Sequence, residues 1–189
     1  PTAIALASTW DPALLEKVMG VAALEARARG THEVLSPVLD LARDPRWGRT
    51  EETYGEDPYL VSRLGVAAIR GYQGTSRTLA KDKVLATAKH FAGHGPHEGG
   101  INTAPTAFAE RILRDDYLFP FEAAIRETPV MAVMPSYNEM DGVPSHKNRW
   151  LLGRVLRQEW GFDGMVVSDY YAVDQMVSQH GVAADLADA

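Results

Sequence analysis

The sequence predicts an α/β fold: part of a (β/α)8 barrel of TIM type, with parallel strands and the helices outside. Three observations predict it. Apolar strand runs alternate with helical patterns four times along the 189 residues. Those runs are apolar throughout instead of alternating with polar residues, as in strands covered on both faces. No glycine-rich dinucleotide fingerprint joins a strand to its following helix, which disfavours the open doubly wound sheet. A whole barrel takes about 250 residues, so four units are expected to form one incomplete barrel domain.

Each element has its own signal. Asp11-Pro12 opens a helix as N-cap and first helical residue. Leu14, Leu15, Val18, Ala22 and Leu24 to Ala26 follow at helical spacing, and Gly30 closes it. His32 to Leu41 reads as the first strand. Asp57-Pro58 repeats the helix start, with Leu60, Val61, Leu64, Ala68 and Ile69 leading to an end near Gly71. Val84 to Lys89 is the second strand, and a helix from about Glu110 to Glu127 is expected to kink at Pro120. Val130 to Tyr137 is the third strand. Asn148 caps a helix carrying Leu151, Leu152, Val155 and Leu156. Met165 to Val167 is the fourth strand, expected to be buried on both faces, and a further helix follows. No linker or low-complexity tract divides the chain.

Composition excludes several classes. Hydrophobic residues make up 46% of the chain, enough for a substantial core, and net charge is −6 with 19 scattered lysines and arginines. Nucleic acid is therefore not an expected partner, because phosphate binding leaves a basic stripe. No apolar run approaches the roughly 18 residues that span a bilayer. With no cysteine, thiol chemistry and disulfides are excluded. The chain begins at Pro1 and reads as a fragment or processed form, so no address is legible.

If the sheet is parallel, all strand ends share one rim, where α/β barrels place their chemistry. The first end leads into DPRWGRTEE (Asp44 to Glu52) and the second into KHFAGHGPHEGG (Lys89 to Gly100). The third supplies MPSYNEMDG (Met134 to Gly142), and the fourth Ser168-Asp169-Tyr170-Tyr171. Donors, carboxylates and aromatic faces together suit a polyhydroxylated ligand. Taken singly, each has a plainer use. Asp169 is as good a helix cap as a catalyst, and Arg46 or Arg49 can pair with Asp44, Glu51 or Glu52. His90, His94 and His97 have metal-ligand spacing, but Gly93, Gly95 and Pro96 prevent a regular helix from aligning them, so no metal is expected. No cofactor is called for.

DPRWGRTEETYGEDP, KHFAGHG, MPSYNEMDGVPSH and GFDGMVVSDY, in this order, closely resemble the barrel domain of glycoside hydrolase family 3, whose members include β-glucosidases and β-xylosidases. The resemblance covers nearly the whole chain. It implies that Asp169 is the catalytic nucleophile, and that Lys89, His90 and Arg49 bond the hydroxyls of the sugar being released. It further implies that Tyr137 and Met134 line that subsite, with Arg46, Glu51 and Glu52 supporting the arginine loop. The implied activity is a retaining exo-β-glycosidase of β-glucosidase type, with β-xylosidase the runner-up, acting on a small oligosaccharide or β-glycoside. A retaining enzyme uses one carboxylate to attack the anomeric carbon and a second group to protonate the leaving oxygen.

Two parts of the family pattern are missing. A sugar-binding aspartate on a strand before ALASTW falls outside the chain. The general acid/base of most members is a glutamate in a following α/β sandwich domain, also outside it. One branch uses a His-Asp dyad after the KHF segment, but PHEGGINTAP lacks that pattern, so the sandwich glutamate is preferred over His97 or Glu98. The parent protein is expected to be periplasmic or secreted. The rivals are a Schiff-base enzyme using Lys89 and a catalytically incomplete carbohydrate-binding barrel.

Overall fold

The computed structural model describes residues 1–189. In chain order it contains α1 (Ala3–Ala7), α2 (Pro12–Ala28), β1 (Glu33–Val34), α3 (Pro58–Gln73) and β2 (Leu85–Phe91). Then come α4 (Glu110–Ile112), a π-wound stretch (Leu113–Leu118), α5 (Phe119–Glu127), β3 (Ala132–Pro135), β4 (Glu139–Met140) and β5 (Val143–Pro144). A second π-wound stretch (Trp150–Glu159), β6 (Met165–Val166) and α6 (Ala172–Ser178) follow.

The main sheet has the order β1-β2-β3-β6, every pair parallel, while β4 and β5 form a separate antiparallel hairpin. Strand order thus follows chain order without reversal. That is the arc of a barrel wall, since a doubly wound sheet reverses direction at its switch point.

Helix starts are where the sequence puts them. Asp11 accepts from the Leu14 amide at 3.0 Å and Asp57 from the Leu60 amide at 2.7 Å, each followed by proline at the first helical position. The core lies between the sheet and its helices: Ala86, Ala88, Phe91 and Val133 meet Leu64, Ile69, Leu118 and Phe121. Burying each large aliphatic or aromatic side chain contributes about 1.5–3 kcal/mol. Crossing of α2 over α3 requires Gly71, where an added Cβ would lie 2.5 Å from the Glu16 carbonyl oxygen.

The first and fourth strands differ from expectation. The first strand is not regular from His32 to Leu41: its regular ladder covers Glu33–Val34, after which the Ser36 carbonyl accepts from the Thr87 amide at 3.0 Å, the Pro37 carbonyl from the Lys89 amide at 3.1 Å, and the Leu39 amide donates to the Lys89 carbonyl. Pro37 has no N–H to give and interrupts the ladder. The break expected at Pro120 is present as a change of winding: the π-wound stretch Leu113–Leu118 gives way to α5 just before Pro120, whose missing N–H cannot serve the turn preceding it. Finally, β6 is not buried on both faces, since it is the edge strand and leaves Met165 48% and Val166 37% exposed.

Candidate active site

The rim is assembled from four segments. The β2 end supplies Lys89 and His90, the segment after β1 supplies Asp40 and Arg49, β3 leads into Tyr137, and the residues after β6 supply Asp169. Asp169 is 9% exposed. Its Oδ1 accepts from the Tyr170 amide at 2.7 Å, and its own amide donates to His146 Nε2 at 3.2 Å. Its Oδ2 is buried without a hydrogen-bond partner, 3.6 Å from His90 Nε2.

The reason for that unpartnered oxygen lies in the state of His90. Asp40 accepts from the His90 amide at 3.1 Å and lies 2.7 Å from its Nδ1. Arg49 Nη2 stands 3.2 Å from Nε2. A guanidinium only donates, so Nε2 carries the lone pair and Nδ1 the proton given to Asp40. Burial first, and then the charges of Arg49 and Lys89, hold the imidazole pKa well below its ordinary value. Two acceptors therefore face each other across the 3.6 Å gap. Buried as it is, Asp40 is pushed up to about 7 by desolvation, against the lowering influence of His94, the His90 amide, Arg49 and Lys89.

Arg49 is gripped by Glu52 through two bonds of 2.7 and 2.8 Å. Its Nη1 reaches His94 Nε2 at 3.4 Å, and its Cζ lies 5.6 Å from the Trp47 ring centre. His94 Nδ1 in turn lies 2.7 Å from His97 Nε2. The glycines after His90 thus fold the loop back and bring the three imidazoles together, tilted and edge to face, with centroids 4.9 and 4.4 Å apart. The ring nitrogens are directed at one another and at Arg49, which is an orienting network. Lys89 differs from Arg49: its ammonium forms no ion pair, and burial followed by repulsion from Arg49 lowers its pKa. Its donors are free for a ligand.

Tyr137 donates its hydroxyl to the Tyr170 carbonyl at 2.8 Å, and burial followed by the nearby Asp169 raises its pKa. Met134, paired in register with Lys89, lines an open cleft of about 320 Å³ with Leu35, Val167, Ser168, Asp169, Tyr170 and Tyr171. The support expected from Arg46 is not there: it is chelated by Asp44 at 2.7–3.2 Å and is 68% exposed. Glu51 makes no ion pair, and Glu52 alone holds the arginine. Asp40 and His146 are the residues that sequence reasoning missed. Asp40 carried the same signal as Asp169, a carboxylate inside an apolar run, whereas His146 carried none.

Residues 1–189 match the model of the glycosyl hydrolase family 3 N terminal domain. This chain belongs to glycosyl hydrolase family 3. It is 49% identical over its whole length to a β-xylosidase of Formosa agariphila, of which it covers 26%. Among solved structures it resembles a β-glucosidase of Erythrobacter marinus, with TM-score 0.95, 43% identity and coverage of 97% of this chain and 24% of that one. The β-glucosidase of Listeria innocua in complex with glucose gives TM-score 0.92 and 41% identity, with 97% of this chain and 25% of that one covered. The chain spans about a quarter of the length of these relatives. These neighbours agree with the barrel-wall topology.

Proposed function

We propose that this chain is the site-bearing wall of an incomplete barrel from a retaining, exo-acting β-glycosidase of β-glucosidase type. The observation that carries the reading is the Asp169 Oδ2 atom: buried, without a donor, and held at a rim where Lys89 has donors to spare. Asp169 Oδ2 attacks the anomeric carbon, forming a glycosyl ester as the bond to the leaving oxygen breaks. That oxygen takes a proton from a general acid, assigned to a glutamate of a following α/β sandwich domain. Water, deprotonated by the same group, then releases the sugar. Lys89, Arg49 and His90 bond the sugar hydroxyls, and Met134 and Tyr137 shape the subsite.

The β-xylosidase reading is favoured by the 49% identity to the Formosa agariphila enzyme, against 43% to the Erythrobacter marinus β-glucosidase. The longer protein carrying this chain should be assayed with aryl β-glucoside and β-xyloside, following the first-formed sugar by proton NMR. A larger kcat/KM for the glucoside with β-anomer released first is expected. Preference for the xyloside moves the substrate to the runner-up, and first release of the α-anomer overturns retention.

A further inference from the structure

We propose that His146 is a positioning residue for Asp169: its ring ties the Asp169 amide to the Ser136 carbonyl and so sets where the Asp169 carboxylate stands. The proposal rests on the reading of Asp169 as nucleophile. The β3–β6 ladder ends with the Val167 amide bonded to the Val133 carbonyl at 3.0 Å, so Ser168 and Asp169 lie beyond the sheet's own hydrogen bonds. A nucleophile placed there needs another anchor. His146 Nε2 accepts the Asp169 amide at 3.2 Å, while Nδ1 donates to the Ser136 carbonyl at 3.2 Å. One imidazole thus bridges the ends of two strands.

The clamp reaches the carboxylate because Oδ1 is bonded back to the Tyr170 amide at 2.7 Å, which fixes the side chain against its own backbone. Holding the Asp169 amide therefore holds Oδ2. His146 is itself fixed by a buried knot: the Ser145 amide and hydroxyl both donate to the Asn138 carbonyl, at 3.1 and 3.0 Å, and the Ser136 hydroxyl donates to that of Ser145 at 2.9 Å. The acceptor role requires a neutral ring. Burial lowers the His146 pKa, with His180 acting in the same direction and Asp169 and the Ser136 carbonyl acting against it.

Two isosteric substitutions separate the two bonds. Glutamine at this position can present an oxygen near the Nε2 place, and asparagine can reach only the Nδ1 place. In the longer protein, the rate of covalent labelling by an activated 2-deoxy-2-fluoro-β-glycoside is measured for wild type, His146→Gln, His146→Asn and His146→Leu, with ligand affinity taken separately. A displacement of about 1 Å can cost up to about 100-fold in rate. We expect the asparagine and leucine variants to label about 10- to 100-fold more slowly with affinity unchanged, and the glutamine variant to recover most of the rate. Equal rates in Gln and Asn variants, or a wild-type rate in either Asn or Leu, overturn the clamp. If leucine does not fold, the Gln–Asn contrast decides alone. Failure of wild type to label at Asp169 instead refutes the nucleophile reading, a separate outcome.

Discussion

Asp40 decides which nitrogen of His90 carries the proton, and so which groups Arg49 and Asp169 face. In Asp40→Asn the Oδ1 bond to the His90 amide can persist, but an amide N–H replaces the second acceptor. His90 must then move its proton to Nε2, against the Arg49 guanidinium. We expect kcat/KM of the longer protein to fall about 10- to 100-fold, since a ligand-bonding group is misoriented. Nitrogen-15 shifts of His90 should report the exchanged tautomer, and an unchanged tautomer contradicts the argument. Linkage gives a second readout. The Asp40 pKa is raised from 3.8 to about 7, so the folded state holds an extra proton between these values. Its contribution is fully present below the unfolded value and is lost as pH rises through about 7. Melting temperature of wild type relative to Asp40→Asn should therefore decline as pH rises across that window, and a rising difference has the wrong sign.

Among the elements, the loop after β2 carries the greatest demand on backbone shape. Gly95 has φ +117°, and a Cβ there would lie 2.5 Å from the Leu41 carbonyl oxygen. Both conditions exclude a side chain. Gly95→Ala should lower stability by roughly 1–3 kcal/mol and pull His94 and His97 away from Arg49, checked by thermal melts and by loss of glycoside affinity. A neutral effect on both contradicts the role given to this loop. Helices with Asp-Pro starts were legible in the sequence, because capping is local chemistry between residues three apart. The glycines of the loop argue against a helix aligning its histidines, and the loop is not helical; that positive-φ glycines turn the chain back and bring the three rings together, tilted and edge to face, was not legible. The irregular pairing after Val34 and the exposed face of β6 depend on partners distant in sequence.

At the scale of the molecule, the arc β1-β2-β3-β6 collects the rim residues, and Asp169 stood out in the sequence because a strand that ends on a carboxylate is a local signal, while the role of nucleophile proposed for it comes from the resemblance. Asp40 and His146 were not legible, because their roles exist only through His90 and through the β3 and β6 ends. The isolated chain is a further test of the division of labour proposed here. Without the sandwich glutamate it should not turn over cellobiose, whose leaving alkoxide needs protonation, and efficient hydrolysis by this chain alone contradicts that assignment. The central claim is that Asp169 is the nucleophile. Incubating the longer protein with a 2-deoxy-2-fluoro-β-glucoside bearing a dinitrophenolate leaving group, then mapping the adduct by peptide mass spectrometry, tests it most directly. The account predicts a single fluoroglucosyl adduct on Asp169, absent from Asp169→Ala. An adduct on Glu51, Glu52 or Asp141, or labelling that persists in Asp169→Ala, would contradict it.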